Sequence, residues 1–186
     1  MQVKVMLSNH HIHLRQEIVD RLFGESGITF HKYLAGEGGP YASNEFVDLE
    51  GPKGKICHVR VLGPCREYNQ AELLKTDCFK LGVDAPVRAS GDLRDAAVLK
   101  VIGPCGEEIL PCGILAHRHI HMDKQIAAEN GFASGQTVNV RTEGVRAVTF
   151  ENVLIGVGGK GMVMHVDTEE GNAALLKNGD MLTIIR

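Results

Sequence analysis

The 186-residue chain has no tryptophan, and its other aromatics are six Phe and three Tyr. A core of large rings and long helices is disfavoured; turns and β-branched packing take their place. No apolar run approaches the ~20 residues that a membrane-spanning helix needs, so no membrane partner is expected. The five cysteines stand at 57, 65, 78, 105 and 112, an odd number with no CxxC pair. A disulfide framework or a four-cysteine zinc site is therefore excluded as the organising feature, and free cytosolic thiols are expected. Charge of one sign is also lacking: 20 Lys and Arg stand against 23 Asp and Glu, a net charge of −3. That is no footprint for a nucleic-acid partner. The opening MQVKVML carries one Lys and passes straight into polar SNHHIHL, which is not a signal peptide.

What is present is an ordinary globular mix, 44% apolar and 23% charged, of a length that allows one domain or two small ones. Glycine is abundant at 22 residues. Short alternating segments dominate. Val3, Val5 and Leu7 share one face of a strand. Residues 46–49 and 56–62 flank Gly51-Pro52-Lys53-Gly54, and residues 97–102 and 108–110 flank Gly103-Pro104-Cys105-Gly106. Residues 137–142 and 145–150 read as a third hairpin around Glu143-Gly144. Strands 153–157 and 162–166 flank Gly158-Gly159, and residues 181–185 close the chain. Helices are expected to be short, over 15–23, 73–81, 124–130 and 169–177. Many short strands at regular spacing suggest barrels or a sandwich.

Histidine is the unusual count. Six of nine lie in two seven-residue windows, 8–14 and 116–122, where an even spread would put fewer than one. The windows echo each other, Ser-Asn-His-His-Ile-His-Leu against Ala-His-Arg-His-Ile-His-Met, 108 residues apart. Two related halves or two related barrels account for the echo, and no low-complexity linker separates them. On a strand, His11 and His13 project from one face, as do His119 and His121, while Ile12 and Ile120 point into apolar packing. Each pair can hold a metal through two imidazoles. Catalytic zinc usually takes three protein ligands, so each pair needs another; His165 and Glu72 are candidates. A lone H-x-H is more often two histidines in ordinary hydrogen bonds, and it is the duplication that turns the reading toward metal. His31 and His58 lack such context and read as structural.

Several alternatives fail. The Asp-His that follows H-x-H-x in metallo-β-lactamases is absent, as is H-E-x-x-H. The amidohydrolase barrel needs about 250 residues. Neither a Gly-x-Ser-x-Gly elbow nor a Walker loop occurs. Arg66, after Gly63-Pro64-Cys65, offers the planar donor fork that matches phosphate. Arg60, Arg88, Lys53 and Lys55 are further basic candidates. Cys65 beside Arg66 is a candidate low-pKa thiol, with an inert buried thiol as the alternative.

These segments occur in an order that resembles a known family. They are Ser-Asn-x-His-Ile-His-Leu at 8–14, Gly-Pro-Lys-Gly at 51–54, Leu-Gly-Pro-x-Arg at 62–66 and Gln-x-Glu at 70–72. Ser-Gly-Asp at 90–92, Arg-His-Ile-His-Met at 118–122 and Met-His-Val-Asp-Thr-Glu-Glu-x-Asn-Ala-Ala at 164–174 follow. Over nearly its whole length the chain resembles the PduL-type phosphotransacylases, the phosphate propanoyltransferase family. The resemblance implies a mainly β fold of two linked small β-barrels capped by short α-helices. One barrel would take residues 1–8 with 117–186, the other residues 9–116. It implies two divalent metal ions, taken as Zn2+, one held by His11, His13 and Glu72 and one by His119, His121 and His165. It implies Arg66 as the phosphate-contacting, catalytic residue, and Ser8, Arg60 and Asn172 in the substrate and coenzyme A pocket. The partners implied are a coenzyme A thioester, inorganic phosphate and a second copy in a homodimer. Position 10 departs from the family pattern, with His for the usual Arg, as does position 117, with His for the common Gln. Some members carry an amphipathic N-terminal extension that targets a bacterial microcompartment. This sequence starts at the first strand, and a free cytoplasmic enzyme is expected.

The implied reaction is reversible exchange of acyl-CoA and phosphate for acyl phosphate and CoA. Direct transfer is favoured, because no Ser-His or Cys-His nucleophile pair is evident; Cys65 as an acyl carrier is the minority route. A metal-dependent thioester or phosphoester hydrolase and a non-catalytic metal- or ligand-binding barrel are the competing functions.

Overall fold

A computed structural model of the chain describes residues 1–34 and 37–185. In chain order the strands and helices are β1 (Gln2–Ser8), β2 (His11–His13), α1 (Gln16–Phe23), β3 (Phe30–Tyr33), β4 (Tyr41–Gly51), β5 (Gly54–Gly63), β6 (Gln70–Glu72), α2 (Lys75–Leu81), β7 (Val87–Arg88), β8 (Ala97–Ile102), β9 (Glu107–Ala116), β10 (His119–Met122), α3 (Lys124–Asn130), β11 (Thr137–Arg141), β12 (Thr149–Val157), β13 (Met162–Asp167), α4 (Thr168–Ala173) and β14 (Met181–Ile185). The fold is mainly β, as expected. It divides into two compact units, His10–Ala116 and Met1–Asn9 with His117–Arg186.

In the unit of residues 10–116, hydrogen-bonded ladders close a ring of six strands: β4-β5-β2-β6-β9-β8, with β8 returning to β4. Alternation supplies the inward face. Ile12, Leu49, Val59, Val61, Ala71, Leu99 and Val101 fill the interior with at most 1% exposure. The other unit closes the ring β1-β13-β10-β12-β11-β14 around Val3, Val5, Ile120, Val140, Ile155 and Met164.

The two rings share one pairing pattern. A short His-Ile-His strand pairs parallel with a long strand, β5 or β12, and antiparallel with another, β6 or β13. A short helix follows each of these inner strands: α1 after β2, α2 after β6, α3 after β10 and α4 after β13. Apart from the added short strands β3 and β7, the chain is thus four β-α-β-β repeats, two per barrel. The last strand of the fourth repeat is supplied by β1 from the N-terminus. The helices start on side-chain caps where the sequence provides them. Asp123 accepts from the amide of Gln125 at 2.8 Å, and Asp167 accepts from that of Glu170 at 2.8 Å. Asp77 accepts from the amide of Leu74 at 2.9 Å.

The two Gly-Pro-x-Gly turns gain a purpose from this repeat. The turn between β4 and β5 lies on the C-terminal end of α2, where the Lys53 amide donates to the carbonyl of Leu81 at 3.0 Å. The turn between β8 and β9 lies likewise on α1, with the Cys105 amide donating to Leu22 at 3.0 Å. Each turn satisfies a carbonyl that a helix end leaves unpaired. The approach is so close that a Cβ on Gly51 would collide with the Leu81 carbonyl oxygen, and one on Gly103 would sit 2.5 Å from that of Leu22. The obstacle is backbone in both cases. Gly51→Ala and Gly103→Ala are each expected to lose ~1–3 kcal/mol in urea denaturation, the usual cost of overpacking.

Three expectations need correction. Residues 145–150 and 153–157 are not separate strands: β12 runs through both from Thr149, turning at Asn152 with φ of 57°. Its hairpin with β11 has a wider mouth than Glu143-Gly144 predicts. Thr142 and Val148 close it through three hydrogen bonds, leaving Val145 95% exposed. The last helix stops at Ala173 rather than 177, because Leu175 adopts φ of 56° and so returns Leu176 to the core.

Candidate functional site

On the outer face of the residue 10–116 barrel, β2 lies between β5 and β6. The register sets Arg60, His11 and Glu72 side by side across three strands, and Leu62, His13 and Gln70 in the next row. His11 and His13 stand edge to face with centroids 5.1 Å apart. His11 Nε2 is 3.5 Å from a Glu72 carboxylate oxygen. One ligand atom from each of His11, His13 and Glu72 lies within 4.8 Å of the others. His13 is 3% exposed, and its Nδ1 has no hydrogen-bond partner. A buried nitrogen lone pair left unmatched is costly unless something binds it. The donor set of two imidazoles and a carboxylate suits a divalent transition-metal ion.

The electrostatics keep these side chains in the deprotonated forms a cation could use. Burial lowers the His13 pKa to about 3, aided by the neighbouring His11 and Arg66. Burial works to raise Glu72, but His11, His13 and a hydrogen bond from Gln70 outweigh it and bring the carboxyl to about 2. Both groups are depressed, so both bind protons in the unfolded chain first. His13 contributes stability that is full above its ordinary value of 6.5 and is lost as pH falls toward about 3. Glu72 adds the same sense of change below 4.5. Metal-free protein is expected to weaken progressively below pH 6.5 in urea titrations, and His13→Ala to flatten that slope.

In the second barrel the same register recurs. His119 faces His165 across β10 and β13, just as His11 faces Glu72. The rings of His119, His121 and His165 converge with centroids 4.7–5.3 Å apart, and the Nε2 atoms of His119 and His121 are 3.2 Å apart. His119 Nδ1 lies 2.9 Å from the His117 carbonyl oxygen, which fixes the ring so that Nε2 faces its neighbours. This trio is more open than the first: His121 is exposed.

Arg66 follows β5, and its amide donates to the Leu14 carbonyl at 2.9 Å, next to His13. Its guanidinium donates to the Tyr68 hydroxyl at 2.6 Å and reaches Ser90 Oγ at 3.4 Å. Arg60 donates to the Ser43 carbonyl and stacks 4.2 Å from the centre of the Phe46 ring, with His58 packed on that ring. Ser8 ends β1 opposite Asp167, and Asn172 is exposed on α4. His10 pairs with Asp77 at 3.0 Å, at the start of α2. Lys55 pairs with Asp48, and Arg88 with Asp95. The Cys65 thiol is not activated: burial pushes it up, and Asp20 adds to the effect. Cys112 is pushed up to about 12 by burial.

Tyr68, Gln70 and Ser90 were not legible as site residues, although Gln70 shares the face of Glu72 by i, i+2 spacing. Their roles come from a loop, 88–95, that folds back on β6.

Fold and geometry together define a class: a double-barrel protein with two histidine-rich clusters, one of them beside a braced arginine. Comparison with known proteins carries this to a family. The profile of phosphate propanoyltransferase matches residues 4–177. A protein of Rhodopseudomonas palustris named Phosphate propanoyltransferase is 42% identical over 187 residues, covering 100% of this chain and 83% of its own. Proteins of the same name from Thermotoga maritima and Levilactobacillus brevis are 44% and 40% identical. They cover 97% and 93% of this chain and 88% and 84% of their own. The chain belongs to the phosphate propanoyltransferase family and is a transferase acting on acyl groups. No helix among the described residues is long and apolar enough to cross a membrane.

Proposed function

We propose that the protein transfers a short acyl group, acetyl or propanoyl, between coenzyme A and inorganic phosphate, and that it does so with two divalent metal ions. The observation that carries this reading is the convergence of His11, His13 and Glu72, one ligand atom of each within 4.8 Å of the others, beside Arg66. These three residues would hold one ion, and His119, His121 and His165 the other; zinc is favoured by the imidazole-rich sets. When bound, such an ion supplies Lewis-acid polarisation and affinity for a thiolate.

The chain's own residues do the rest. Phosphate must be desolvated and held in line before it is a useful nucleophile. Arg66 presents a planar fork of donors for two of its oxygens, with Tyr68 fixing the guanidinium. Arg60, held by Ser43 and Phe46, keeps a second positive charge beside His11 for the anionic groups of the thioester substrate. The raised thiol of Cys65 speaks against it as an acyl carrier, and direct transfer is the route we adopt. The five free thiols fit a reducing, cytoplasmic setting, and a homodimer is the assembly we adopt.

The test is release of CoA thiol from acetyl-CoA and propanoyl-CoA, with and without phosphate and a chelator. Release should require phosphate and should stop on chelation. Equal release without phosphate would make the protein a hydrolase.

A further inference from the structure

Glu72 is not left to orient itself. Gln70, two residues earlier on β6, is completely buried, and all its polar atoms are engaged. Its carbonyl oxygen accepts from the Gly91 amide at 2.7 Å, which fixes which way the side-chain amide points. Its Nε2 then donates to Glu72 Oε1 at 2.8 Å and to Ser90 Oγ at 3.0 Å. One carboxylate oxygen of Glu72 is thereby occupied. The other, Oε2, is the oxygen that lies 3.5 Å from His11 Nε2. Ser90 Oγ lies in turn 3.4 Å from both the Arg66 guanidinium and the Tyr68 hydroxyl. The loop that carries Ser90 and Gly91 is braced by ion pairs from Arg88 to Asp95 at 3.2 Å and from Arg94 to Asp92 at 2.7 Å.

The second barrel supplies an internal comparison. Gln70 stands opposite His13 in the ladder, and the residue opposite His121 is Val163. Val163 has no polar side-chain atom, so the arrangement belongs to one of the two sites.

We propose that Gln70 and Ser90 form a positioning relay. Gln70 restricts Glu72 to a single ligand oxygen, and Ser90 couples that carboxylate to the Arg66 arm that receives phosphate. The inference rests on the functional reading above for the ion and the phosphate. It adds that the two halves of the site are aligned by a hydrogen-bonded chain, not placed independently. Outer-shell partners of metal ligands typically tune affinity ten- to hundredfold. A reacting group displaced by about 1 Å can cost ~100-fold in rate.

The experiment measures stepwise Co2+ affinity against a chromophoric chelator, together with kcat and KM for phosphate. Gln70→Ala and Gln70→Met are expected to weaken one of the two ion sites at least tenfold and leave the other within twofold. Gln70→Met keeps most of the side-chain volume and removes the donor without adding a charge, so equal loss in both variants assigns the effect to the hydrogen bond. Ser90→Ala, at an exposed position, is expected to raise KM for phosphate at least threefold with a smaller change in ion affinity, and Ser90→Thr to restore it. Both ion affinities staying within twofold in the Gln70 variants, or an unchanged KM in Ser90→Ala, overturns the relay while the functional reading stands. Wild-type protein that binds no ion, or releases CoA equally fast without phosphate, removes both.

Discussion

His13→Ala is expected to lower phosphate-dependent CoA release by ~1,000-fold or more while leaving the metal-free fold nearly as stable as before. The two halves of that expectation have different origins. In the metal-free chain His13 Nδ1 is buried without a partner, so its removal relieves a desolvation penalty as well as opening a small space. The rate effect follows from the loss of a proposed ligand set that would hold a Lewis acid worth several kcal/mol at the transition state, where each 1.36 kcal/mol is a factor of ten. Metal content should fall from two ions per chain to one, and the ion-dependent rise in Tm should shrink accordingly, since a ligand stabilises only the state that binds it. Rate and metal content together decide the matter. A variant that retains two ions and full turnover leaves His13 outside the site. A variant that unfolds without metal makes the residue structural instead.

Much of this was legible because barrel strands write their inward face as alternation. Val3-Val5-Leu7 and Ile12 between two histidines point their side chains as period two requires. The duplicated His-Ile-His marked two equivalent places, and the structure gives them one shared register. The rest lay in long-range pairing. Glu72 stands beside His11 only because a three-residue strand, β6, pairs antiparallel with another three-residue strand, β2. Segments so short carry no periodic signal of their own. The Gly-Pro-x-Gly turns look like ordinary hairpin turns until the helix ends beneath them are known. Gln70 stood in the sequence only as the first residue of Gln-x-Glu; its role becomes readable when the Gly91 amide and Glu72 are seen on either side of it. Asn152 and Leu175 sent the chain through left-handed conformations that local propensity disfavours. There the demands of ring closure and of burying Leu176 outweigh the local pattern.

Arg66→Ala is expected to cut kcat/KM for phosphate by ~100-fold, and Arg66→Lys to recover little of it. A charge-assisted pair with an oxyanion contributes roughly 1.5–3 kcal/mol, which corresponds to about one to two orders of magnitude. The upper end applies here because the guanidinium is held in place. Its amide is tied to Leu14 at 2.9 Å, and one of its nitrogens to the Tyr68 hydroxyl at 2.6 Å. Lysine keeps the charge but not the fork, and its ammonium cannot serve Tyr68 and two phosphate oxygens in one plane. The loss should therefore fall on KM for phosphate and on kcat, with KM for the thioester nearly unchanged. Tyr68→Phe should reproduce a small part of it, because the arginine remains but loses its brace. Metal content should stay at two ions per chain in all three variants, which separates the anion arm from the ligand sets. Initial rates over a range of phosphate concentrations at fixed acyl-CoA measure this directly. An unchanged phosphate KM in Arg66→Ala would assign the anion to another cation, with Arg60, beside His11, the first to be tested.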